Sequence, residues 1–149
     1  MKWGSFLVKA IVILIVMWAI AIYVYGDFVL ADSVVPERGV GIDEWLDSYY
    51  KAGAISAFWG LVCSCIWFYF GTHYSGGAGI SIKFWVPWIV SLVLGIATAF
   101  FVIEKAVDGS GASFIFAALM APVGYYLIAL FDSAEAVKYI PPLGMMIHK

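Results

Sequence analysis

A chain of 149 residues has the length of one domain, and 64% hydrophobic residues against 12% charged places it outside the usage of proteins that fold in water. A formal net charge of −2 with no run of like charges gives no basis for binding nucleic acid, so that class is set aside. The apolar residues gather in four long blocks, each hydrophobic on every side, so lipid or other helices must cover them.

The first block follows a short basic start with Lys2, Trp3 and Lys9. Ala10 to Tyr25 is uncharged, and with Phe6 to Val8 and a snorkelling Lys9 it reaches spanning length, giving a first transmembrane helix over about 6–25. A cleaved signal peptide is the rival, because Val29 and Ala31 precede Asp32 in the manner of a small-residue cleavage site. The sixteen-residue apolar core is long for a signal, which favours an uncleaved anchor.

Residues 26–51 form an acidic loop, with Asp27, Asp32, Glu37, Asp43, Glu44 and Asp47 against Arg38 and Lys51. Pro36, Gly39 and Gly41 mark a turn region. After it Ile42, Trp45, Leu46 and Tyr49 recur at i, i+3, i+4 and i+7, which predicts a short amphipathic helix at the membrane surface, leading with or without a break into the second span. Asp43 and Glu44 fall in its first turn, where the helix dipole favours negative charge. Trp45, Leu46 and Tyr49 are candidates for docking a partner, or else an interfacial anchor at headgroup depth.

The second span, 52–71, is twenty residues without a charge, which at ~1.5 Å per residue matches the ~30 Å hydrocarbon core. Ser56, Gly60 and Ser64 stand four apart in a column, the arrangement that lets another backbone approach where lipid offers no hydrophobic drive. Cys63 and Cys65 point ~200° apart on a helix and cannot join in a disulfide. With no histidine or carboxylate in the block they read as buried thiols, not a metal site.

Gly71, Gly76, Gly77 and Gly79 make the next connection a flexible hairpin. Its glycines lack the Gly-Lys-Ser/Thr ending of a phosphate loop, and His73 alone is a polar interface residue. The third span, 84–103, has Pro87 in its first turn, where a missing N–H costs little, and carries a second column of Ser91, Gly95 and Ala99. The two columns are expected to pack against each other, with the outer spans wrapped around them. Asp108 to Gly111 turns into the fourth span, 113–131, where Ala117, Ala118, Ala121 and Gly124 accompany a mid-helix Pro122. The remaining tail, 132–149, holds Tyr139, Ile140, Leu143 and Met146, too short to span yet apolar enough to dock on a partner or the membrane interface.

The expected fold is therefore an all-α integral membrane bundle of four transmembrane helices, a single domain over 1–149, with the amphipathic helix in the first extracytoplasmic loop. Lys2, Lys9, Lys83, Lys138 and Lys149 share the side that bears both ends, against Arg38, Lys51 and Lys105 on the other, so the positive-inside rule puts the termini in the cytoplasm. Compact loops suit a bacterial inner membrane.

The spans hold no ionisable group away from their ends, which lowers the expectation of a proton-coupled carrier, and no serine has an activating base. No enzyme, cofactor or metal is expected. The function expected is a non-catalytic structural or assembly subunit of a bacterial envelope complex, of the secretion or conjugation type, binding other membrane subunits and lipid. The alternatives are an immunity-type protein that protects against a pore-forming toxin, and a small channel or transporter that forms a homo-oligomer with a pore lined by Ser56, Ser64, Ser91 and Thr98.

Overall fold

The computed structural model describes residues 3–23, 42–73, 82–104, 111–136 and 143. They form four helices: α1 (Trp3–Tyr23), α2 (Ile42–His73), α3 (Ile82–Ala99), which continues as a π-helical turn (Phe100–Glu104), and α4 (Gly111–Ala136). All four are long and apolar enough to cross a membrane.

α2 is the longest at 32 residues. At ~1.5 Å per residue it exceeds the hydrocarbon thickness by about half, so one end must stand out of the apolar layer. That end is the N-terminal one, where Asp43, Glu44, Asp47 and Lys51 are exposed and Lys51 pairs with Asp47 one turn earlier. A separate amphipathic helix lying on the membrane is not found among the described residues; Ile42 to Lys51 are the opening turns of α2. The reason is local. No proline separates Tyr49 from the span, and Gly53 alone, at ~1 kcal/mol, does not break a helix that packing supports.

The order of packing also differs from expectation. α2 and α4 run parallel as a central pair, α3 lies along one side of them and α1 along the other. The serine and glycine columns of α2 and α3 do not chiefly face each other. Both close on α4. A methyl group at Gly60 would stand 2.8 Å from the Ala121 carbonyl oxygen, and one at Gly95 would overlap the Ala118 carbonyl oxygen, so at both points backbone meets backbone with no room for a side chain. α4 can serve as this centre because Ala117, Ala118, Ala121 and Ala129 are small and buried on more than one face.

The two prolines are accommodated by those same neighbours. Helix α3 begins at Ile82, two residues earlier than expected, so Pro87 sits in its second turn and cannot donate to the Lys83 carbonyl. In that turn the Tyr125 hydroxyl of α4 donates to the Phe84 carbonyl at 2.9 Å. Pro122 likewise has no N–H for the Ala118 carbonyl, the oxygen toward which Gly95 points its Cα–H. Membrane helices tolerate proline where neighbouring helices pack on the disrupted turn, and here each proline turn has such a neighbour, although the Tyr125 bond reaches Phe84 and not the Lys83 carbonyl itself.

Candidate functional site

The bundle has two ends. One carries Trp3, His73, Phe84 and Asp132 and is here called the terminal end; the other carries Tyr49, Val102 and Phe114 and is called the loop end.

At the terminal end α1 is seated on α2 and α4 by an aromatic stack and an ion pair. Phe6 lies over Phe68 with ring centroids 4.2 Å apart, and Trp3 meets Phe68 edge-on at 4.9 Å. One turn from Phe6, Lys9 donates to Asp132 at 3.1 Å. The sequence places Asp132 in the tail, because a charge reads as the end of a span. In the structure α4 runs on to Ala136 and the Asp132 side chain is fully buried, whereas Lys9 keeps 41% of its side-chain exposure. A carboxylate withdrawn from solvent needs a cation close by, and a lysine can supply one while its stem covers apolar surface.

Further along, Leu14 presses its Cδ2 on Gly124 to within 3.0 Å of where a Cβ would be, and Met17 lies alongside. From there toward the loop end α1 is flanked by two open apolar grooves. One, of about 280 Å³, lies between α1 and α2 and is lined by residues including Ile11, Trp18, Ala57 and Phe58. The other, of about 270 Å³, lies between α1 and α4 beside Met17, Ile20, Leu119 and Val123.

All six expected packing residues, Ser56, Gly60, Ser64, Ser91, Gly95 and Ala99, are buried. Three hydroxyls inside the bundle turn back on their own helices: Ser64 donates to the Leu61 carbonyl, Ser91 to Trp88 and Thr98 to Leu94, all within 2.7–2.8 Å. Ser56 Oγ is buried with no hydrogen-bond partner among the described residues.

The expected docking residues fare differently. Tyr49 is 3% exposed and packs into a cluster with Ala52, Ala99, Ala117 and Ala118, its ring 6.4 Å from that of Phe116, and Leu46 rests half-buried against the same cluster. Both are thus spent on the chain's own interior, because α2 continues unbroken and its apolar stripe meets α4 instead of headgroups. Leu143 is exposed, at a φ of 76°. The side chain of Trp45, and Tyr139, Ile140 and Met146, lie outside the described residues. Cys63 is buried, Cys65 is half-buried, and both are free thiols. His73 is the last residue of α2, stacked on Tyr69 at 4.4 Å, with Nδ1 3.0 Å from the Tyr69 carbonyl.

The features that sequence reasoning missed are the role of Asp132 and the central position of α4. The second had a signal, since Ala117, Ala121 and Gly124 recur on one face of the fourth span. No protein-family model, curated protein or solved structure matches this chain.

Proposed function

We propose that the chain is a non-catalytic integral-membrane subunit of a larger bacterial envelope assembly, of the secretion or conjugation type, seated in the inner membrane with both termini cytoplasmic. The observation that carries this reading is where the polar groups of the bundle point. Ser64, Ser91 and Thr98 are buried and satisfied by carbonyls of their own helices, so they add to packing and not to a polar track. The same observation weighs against a channel lined by these residues.

What the molecule offers to others is its outside. α3 turns Trp85, Val86, Ile89, Val90, Val93 and Ile96 outward while its opposite face is locked on α4. An all-apolar outer wall on a helix fixed from behind suits a subunit held among other membrane proteins and lipid.

The test is extraction at native expression levels in a mild detergent that keeps complexes intact. Co-purification of a defined set of membrane proteins, with crosslinks from the segment after α4, residues 137–149, to one of them, is the expected outcome. A lone monomer without crosslinked partners sinks the proposal. Solute flux into liposomes holding only this chain would move the reading to the channel. Reporter fusions at either terminus should report the cytoplasm.

A further inference from the structure

The contacts of α1 differ in kind from those of the other helices. Where α2 and α3 meet α4, the atoms a new Cβ would strike belong to backbone, which cannot step aside. Where α1 meets α4, at Gly124, the nearest atoms are the ends of the Leu14 and Met17 side chains, which can. Across its span α1 is 22% buried, close to the 28% of α3 and below the 44% of α2 and 56% of α4, so what sets it apart from α3 is not burial but the kind of contact and the open grooves that border it on both flanks. Its stacked and charged attachments gather at the terminal end, in the Trp3–Phe6–Phe68 stack and the Lys9–Asp132 pair, while toward the loop end Trp18 lies against Gly53 by ordinary van der Waals contact and Ala21 is buried. The pair is asymmetric. Asp132 is sealed, while the half-exposed Lys9 is on a flexible stem that can extend to headgroups or water.

From this geometry we propose that α1 is a releasable strap on a three-helix frame of α2, α3 and α4, and that the Lys9–Asp132 ion pair is its latch. Opening the latch lets α1 leave the α2–α4 groove and uncovers Ala57 and Phe68 on its α2 side and Gly124 and the Asp132 carboxylate on its α4 side. A cation at the same depth on another membrane helix would compete with Lys9 for that carboxylate, so the device allows exchange without remodelling the frame.

The experiment uses the full chain in lipid nanodiscs, with Cys63→Ala and Cys65→Ala, and measures distances between spin labels at outward-facing positions. One pair, Val16→Cys with Val93→Cys, reports α1 against the frame; the other, Ile66→Cys with Val93→Cys, reports the frame itself. Asp132→Asn, which removes the charge at almost constant shape, should add a longer-distance population to the first pair and leave the second unchanged. Lys9→Met should do the same, and Lys9→Arg should keep the single original distance. An unchanged first pair in both neutral variants overturns the latch. Broadening of both label pairs together overturns the division into strap and frame, and loss of the original distance in Lys9→Arg shows that charge is not what holds α1.

Discussion

α1 and α3 lie on opposite sides of the same pair of helices, yet they are held there by different means. α3 is fixed by the absence of side chains: Gly95 lets its backbone touch that of α4, and Tyr125 of α4 reaches back to the Phe84 carbonyl. α1 is fixed by the presence of large ones, two aromatic rings, a leucine and a lysine that finds a buried carboxylate. Contacts of the first kind are steep and tolerate no added volume. Contacts of the second kind are broad, adjustable and dependent on charge. In a bilayer, where apolar surface gains little by leaving lipid for protein, this difference decides which helix comes away first.

The comparison can be broken in order of expected size. Gly95→Val drives a branched side chain into the Ala118 carbonyl and should cost ~3 kcal/mol or more of bundle stability, at the upper end for overpacking, with Gly60→Val close behind; reversible unfolding in mixed micelles measures it. If either variant is as stable as the parent, the backbone contact is not what holds α4. At the α1 seat the two halves of the ion pair should not be equivalent. Lys9→Ala leaves a buried carboxylate short of its cation and should cost about 2–3 kcal/mol, whereas Asp132→Asn leaves a lysine that can turn to water and should cost roughly 1. Equal losses would mean that Asp132 is not sealed.

Smaller changes sharpen the picture. Tyr125→Phe removes the hydroxyl that covers Phe84 in the proline turn, with an expected loss of about 0.6–1 kcal/mol, within the usual range for a hydrogen bond in a membrane protein. Ser56→Ala carries the opposite sign. Its hydroxyl is buried without a partner among the described residues, so its removal should be neutral or raise stability by up to ~1 kcal/mol. Asp47→Ala, at an exposed i,i+4 pair with Lys51 on the projecting turns of α2, should change stability by no more than ~0.5 kcal/mol.

Much of this architecture could be read from the chain, because long uncharged blocks make helices long and apolar enough to span, and small residues four apart give a helix a face that another backbone can approach. The partner of each contact could not be read. Gly60 and Gly95 announce that some backbone comes near, but nothing in their own blocks says that it is the fourth span and not each other; the discriminating feature is that the fourth span has small residues for two neighbours at once. Asp132 illustrates the same limit. A charge at the edge of an apolar run is ordinarily a terminus facing water, and its lysine stands 123 residues away, beyond any local pattern. The amphipathic stripe of Ile42, Trp45, Leu46 and Tyr49 was legible as a helical face, but whether such a face meets headgroups or protein depends on whether the helix breaks before the span, and here it does not. The π-helical turn after Ala99 had no sequence signal at all.

Placing the hub of the bundle in the fourth helix has a temporal consequence. Translation delivers the N-terminal segments first, so the ribosome has already released α1, α2 and α3 toward the bilayer when the element that their glycines are shaped to meet is still being made. Until Ala118 and Ala121 arrive, Gly60 and Gly95 have nothing to close on but lipid and one another. The backbone contacts of Gly60 and Gly95 with α4 are therefore the last of the bundle to become available, after α2 has already had α1 and α3 to pack against.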